Sequence, residues 1–205
     1  MSISVSIQPD QVGEVVEQKL AAEPVTSLFQ IDLDDFAGIN SELGRDAGDS
    51  VLTAAFVTLQ TATGATGWPL VRVGGDEFAV VAPGLGLEQA FLRADALRRE
   101  LGEAMTAALP DGRGATASIG VANVPRDAKN AEELRRKAEL ALYSAKEQGG
   151  DAVGLTPGDE MVLKSSYYGV GQLGRLRSLA QRLQKKEAVL LREALDDLLR
   201  KYDRS

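Results

Sequence analysis

The 205-residue chain contains no cysteine and no histidine. Without thiols it can form neither disulfides nor thiolate metal sites, and a reducing cytoplasm is its natural setting. Without imidazole it lacks the usual general base and the usual zinc ligand, so any chemistry must come from carboxylates, lysines and hydroxyls. The first ten residues, Met1 to Asp10, lack a basic stretch followed by an apolar core, so no signal peptide is expected. No apolar run approaches the roughly 18–20 residues of a membrane span, so a soluble protein with no membrane partner is expected.

What is present is 44% hydrophobic residues, enough for a packed core, and a net charge of −7 that is unevenly distributed. Residues 1–160 carry 13 Lys and Arg against 25 Asp and Glu, whereas residues 161–205 carry 10 against 5. An acidic body with a basic tail predicts two parts with different partners, the tail facing an anion such as nucleic acid.

The densest signal is Gly74-Gly75-Asp76-Glu77-Phe78, between the apolar runs Leu70-Val71-Arg72-Val73 and Ala79-Val80-Val81-Ala82. Both flanks read as strands, which makes the five residues the tip of a β-hairpin. Paired glycines permit φ > 0 and close approach of a bulky group. Two carboxylates there suit a hard divalent cation carrying phosphate.

Elsewhere, hydrophobic periodicity predicts helices over 10–21, 35–43, 46–63, 86–109 and 131–148, and strands over 25–33, 114–121 and 152–155. The order β-α-α-β-β-α-β-α-β after the leading helix suits an α/β (α+β) sheet covered by helices. Residues 156–160 read as a linker, Thr156-Pro157-Gly158-Asp159-Glu160. Beyond it come a short strand (161–168) and helices over 171–183 and 187–202. The predicted organisation is a lead-in (1–24), a main domain (25–155), the linker and a tail domain (161–205).

The main domain resembles the GGDEF family, the diguanylate cyclases. The resemblance rests on an ordered set of motifs: Asp32-Leu33-Asp34-Asp35-Phe36 with Ile39-Asn40, Gly48-Asp49, Gly74 to Phe78, Ser118-Ile119-Gly120, and Ala141-Leu142-Tyr143-Ser144-Ala145-Lys146. It implies that Asp32, the Leu33 carbonyl and Asp76 hold Mg2+, and that Asn40 and Asp49 read the guanine edge. Gly74 and Gly75 would border the nucleotide, with Asp76, Glu77 and Lys146 serving catalysis. The family condenses two GTP molecules into cyclic di-GMP, one nucleotide on each of two facing domains. Of the acids beside the metal set, Asp34 and Asp35 are expected to cap and charge the following helix, and Phe36, Ile39, Phe78 and Tyr143 to be core.

Departures from the family pattern are also visible. Ala37 stands where a lysine usual in the family would follow the phenylalanine, and Gly150 where an arginine often follows the helix lysine. Both are expected to touch phosphates. The Asp-x-Leu-Thr-Gly-Leu-x-Asn-Arg segment is absent. Ala65-Thr66-Gly67-Trp68 replaces the inhibitory Arg-x-x-Asp motif, so product feedback there is not expected.

Residues 161–203 resemble the ribbon-helix-helix (CopG-like) DNA-binding family, on Lys164-Ser165-Ser166-Tyr167-Tyr168 and the leucines at 173, 176, 179, 190, 191, 195, 198 and 199. The resemblance implies an interleaved homodimer on double-stranded DNA. Depending on strand register, either Ser165 and Tyr167 or Lys164, Ser166 and Tyr168 would face bases, with Lys185 and Lys186 near phosphates. Two functions follow as expectations. One is a dimeric DNA-binding transcriptional regulator that binds GTP or cyclic di-GMP; the other is an active diguanylate cyclase whose tail serves dimerisation or DNA recruitment.

Overall fold

The structure, a computed structural model, describes residues 11–156, 168–183 and 187–202. The chain divides into two units, residues 1–160 and 161–205.

The first unit follows the predicted order. It contains α1 (Gln11–Ala22), β1 (Thr26–Leu33), α2 (Phe36–Leu43), α3 (Arg45–Gly64), β2 (Leu70–Arg72), β3 (Glu77–Pro83), α4 (Leu87–Ala108), β4 (Ala117–Val124), α5 (Ala131–Glu147) and β5 (Val153–Leu155). The sheet order is β2-β3-β1-β4-β5. β1 runs antiparallel to both β3 and β4, β2 antiparallel to β3, and β4 parallel to β5.

β1 lies at the centre, and all eight of its residues are buried, as are all eight of β4. Alternation of side chains along β1 divides the core in two. Phe29, Ile31 and Leu33 pack with Val51, Ala55 and Leu59 of α3 and Leu97, Leu101 and Met105 of α4. Leu28 joins Val12 and Val16 of α1 and Leu134 and Ala138 of α5 on the opposite face. By the same alternation Gln30 and Asp32 point towards the α1/α5 face, an arrangement that matters for the site.

Two boundaries differ from the sequence reading. β4 lies three residues later than expected because it is set by pairing with β1, from Leu33↔Ala117 to Thr26↔Val124. Its distal part hides a polar residue: the Asn123 amide is buried, donating to Ser27 Oγ at 2.9 Å and to the Leu85 carbonyl at 3.1 Å. The hairpin tip is tighter than expected, since Glu77 and Phe78 already belong to β3. Neither Gly74 nor Gly75 adopts a positive φ, so the turn does not draw on that freedom.

α5 lies close against the sheet because β4 carries Gly120. A Cβ there would collide with the Ala138 carbonyl and the Leu142 backbone. That contact fixes the height of α5 over β4, and so the position of Lys146 in its last turn.

In the second unit, α6 (Val170–Leu183) and α7 (Glu187–Tyr202) occur where the leucine pattern placed them and pack against each other. Ala180 and Leu190 are buried, and Arg177 Nε lies 3.6 Å from Glu187 Oε1. The strand expected over 161–168 falls, but for Tyr168, outside the described residues. Among the described residues no helix is long and apolar enough to cross a membrane.

Candidate functional site

The site is built where β1 ends beside the hairpin tip. The Leu33 N–H donates to the Asp76 carbonyl at 3.3 Å, joining the two segments. Asp32 and Glu77 are direct cross-strand partners, so their side chains share one face of the sheet. α5 covers that face and brings Lys146 Nζ to 2.6 Å from Asp32 Oδ1. The two form an ion pair between a buried carboxylate and a half-exposed ammonium, and Asp32 Oδ1 takes a hydrogen bond from no other described residue.

The carboxyls feel this crowding. Burial pushes the Asp32 carboxyl above its ordinary value; Lys146 offsets part of the shift, while the charges of Asp76 and Asp34 add to it. Burial likewise raises Glu77, reinforced by Asp32 and Asp76 and opposed by Lys146. Acids drawn together at a strand end repel unless a cation lies among them. Among the described residues no three Asp, Glu, His or Cys side chains form a metal-ligating group by themselves. The donors that the family resemblance implies for a metal here are two carboxylates, Asp32 and Asp76, with the Leu33 carbonyl. That set fits magnesium, which takes few protein oxygens and completes its octahedron with phosphate and water.

Gly74 and Gly75 leave the approach to these acids open. A Cβ at Gly75 would meet no atom within 4 Å, and one at Gly74 only Glu77 Oε2, at 3.9 Å. The tip is held by Arg72, which the sequence reading missed: Nε donates to the Gly74 carbonyl at 3.2 Å and Nη2 donates to the Gly75 carbonyl. The Arg72 guanidinium also lies 5.9 Å from the centre of the Phe78 ring, its partner across the hairpin. An arginine two residues before paired glycines, aligned with an aromatic just beyond them, was the available signal.

Asp34 corrects an expectation. Rather than charging a helix end, its carboxylate accepts hydrogen bonds from Thr116 Oγ1 and Ser118 Oγ, both at 2.7 Å, and from the Asp151 N–H at 2.9 Å. The Asp151 carboxylate in turn pairs with Arg98 of α4. Asp34 thus ties β1, β4 and the loop after Lys146 together. Hydroxyls at alternate positions 116 and 118 were the visible trace. Asp35 occupies the N-cap position of α2 at φ 49° without a side-chain capping bond. Tyr143 is corrected as well: it is exposed, its hydroxyl donating to Glu147 at 3.0 Å, whereas Ile39 and Phe78 are core and Phe36 is partly buried against it.

Asn40 and Asp49 come together in a cleft of about 530 Å³ between α2 and α3, lined also by Phe36, Ala37, Ser41, Arg45 and Leu52. Asn40 Nδ2 donates to the Phe36 carbonyl at 3.2 Å. Its Oδ1 lies where a Cβ at residue 48 would be, so Gly48 is what admits the side chain. A slightly larger groove, about 570 Å³, lies further along α3 and shares Asp49. Its other lining residues, Ser50, Thr53, Ala54, Val57, Thr58 and Ala104, are short and uncharged, and it offers a nucleotide far less.

Among the departures, Ala37 is exposed at the cleft. Gly150 has φ 74° and faces the Asp34 carboxylate, 3.1 Å from where a Cβ would sit. In the Ala65–Trp68 segment Gly67 turns at φ 69°, and Trp68 packs edge-on against Phe29 with ring centres 6.1 Å apart. Of the residues predicted to contact DNA, Lys164, Ser165, Ser166, Tyr167, Lys185 and Lys186 lie outside the described residues.

Comparison with known proteins gives the class. The family model described as "Diguanylate cyclase, GGDEF domain" matches residues 9–152, and the chain belongs to that family. It is 36% identical over 138 residues to the response regulator PleD of Caulobacter vibrioides, covering 65% of this chain and 30% of PleD. It is 35% identical over 136 residues to the diguanylate cyclase DgcM of Escherichia coli, covering 66% and 32%. The chain thus spans about a third of the length of these relatives. Among solved structures, the active GGEEF domain of a diguanylate cyclase from Vibrio cholerae superposes with a TM-score of 0.66. That match has 24% identity and covers 74% of this chain and 97% of the other, a likeness of fold.

Proposed function

We propose that this chain binds GTP with magnesium and joins two GTP molecules into cyclic di-GMP, each held by one of two facing copies. The observation that carries the reading is the pairing of two neighbouring features. One is an acidic strand end where the buried Asp32 carboxylate pairs with Lys146; the other is the cleft between α2 and α3 that presents Asn40 and Asp49.

Asp32, Asp76 and the Leu33 carbonyl would hold the metal, which when bound neutralises phosphate charge and orders it for in-line displacement. Asn40 and Asp49 hold the base. Lys146 meets phosphate oxygens from the end of α5. Glu77, its carboxyl raised by burial and neighbouring acids, is suited to accept the proton of the attacking 3′-hydroxyl. With Ala37 and Gly150 in place of cations, the phosphates are held by fewer charges than in the family pattern, so turnover is slow relative to binding.

DNA recognition by the tail finds no support in the family match, which ends at residue 152. Titration calorimetry tests the binding half of the reading. GTP with magnesium should bind, ATP should bind much more weakly, and Asp49→Ala should sharply reduce the preference. Equal binding of GTP and ATP would overturn it.

A further inference from the structure

The guanine cleft contains one donor group that no described residue engages. We propose that Arg45 reads the O6/N7 edge of guanine and so determines the base specificity of the site; this rests on the proposed nucleotide function and deepens it.

Guanine offers two kinds of edge. N1–H and the N2 amino group donate, whereas O6 and N7 accept. The Asp49 carboxylate can only accept, so it serves the donating edge. The accepting edge needs donors, and the lining of the cleft supplies few. Phe36, Ala37 and Leu52 have no polar side-chain atom. The Ser41 hydroxyl already donates to the Gly38 carbonyl at 3.0 Å. One N–H of Asn40 is committed to the Phe36 carbonyl. The Arg45 guanidinium, by contrast, has no hydrogen-bond or ion-pair partner among the described residues.

Its placement fits the task. Arg45 and Asp49 are four residues apart on α3, just over one helical turn or a rise of about 6 Å, on the same face. The donating and accepting edges of guanine are contiguous, so neighbouring side chains at that spacing can take one each. A planar fork of N–H groups is the side chain suited to bind O6 and N7 together. Arg45 is also the first residue of α3, where a cation opposes the helix dipole. A residue that breaks a local rule without a structural partner is a candidate for function.

The rival donors are the unpaired backbone N–H groups of the first turn of α3. Calorimetry with full-length protein, magnesium and three nucleotides separates the two. For wild type, 7-deaza-GTP, which lacks N7, should bind about tenfold or more weaker than GTP. Arg45→Ala and Arg45→Lys should weaken GTP by at least that factor and weaken 7-deaza-GTP, which keeps only O6 for the guanidinium, distinctly less. Both variants should keep the wild-type preference for GTP over inosine triphosphate, which lacks only the N2 amino group. That last arm shows that the cleft is intact. Equal losses on GTP and 7-deaza-GTP, or no loss on either, would overturn the role of Arg45. Absence of GTP binding by wild type would instead sink the nucleotide reading itself.

Discussion

Asp32 carries the clearest residue-scale consequence. In the folded protein its carboxyl and that of Glu77 are raised above ordinary values of 3.8 and 4.5. The native state therefore holds protons that the unfolded chain has released. Their contribution favours folding at acid pH and is lost as pH rises from those ordinary values through the raised ones. Asp32→Asn should raise the metal-free melting temperature at neutral pH and flatten its decline above pH 4, as read by thermal denaturation. Magnesium should stabilise wild type and leave this variant unchanged. A lower melting temperature at neutral pH would contradict the strain assigned here. The two missing cations differ in the same physical terms. Ala37→Lys adds a charge at an exposed position and should tighten GTP binding roughly tenfold, since a charge-assisted hydrogen bond contributes about 1.5–3 kcal/mol. Gly150→Arg should lower the melting temperature by a few degrees, because φ 74° costs an L residue about 1–2 kcal/mol.

Among elements, α5 and β4 decide whether the site exists. Gly120→Ala forces a Cβ into the Ala138 and Leu142 backbone and should cost about 1–3 kcal/mol by urea denaturation. Lifting α5 also withdraws Lys146, so GTP affinity should fall in the variant even where it is fully folded. The sequence reading captured α5 well because Leu134, Ala138, Ala141, Leu142 and Ala145 repeat with the helical period. β4 was less legible: its end depends on pairing with β1 and on a buried Asn123, and neither leaves a local trace. The metal and guanine residues proposed here rest on local motifs, whereas Arg72 and Asp34 left only faint local traces. Their roles arise from partners that the fold supplies: carbonyls of the tip for Arg72, and groups more than 80 positions away for Asp34.

At the scale of the whole molecule, the division at residue 160 makes the nucleotide unit separable from the tail. The fragment 1–156 should fold, by circular dichroism and a single cooperative melt, and bind GTP as the full chain does. If two facing copies are needed, product formed per molecule should rise with protein concentration in that fragment. A rate per molecule independent of concentration would argue against chemistry between copies.

The most direct test is to incubate the purified full chain with GTP and magnesium and to separate the products by chromatography. Cyclic di-GMP should appear with wild type, and none with Asp76→Ala. No cyclic di-GMP from wild-type protein that binds GTP, or equal product from Asp76→Ala, would contradict the proposed chemistry.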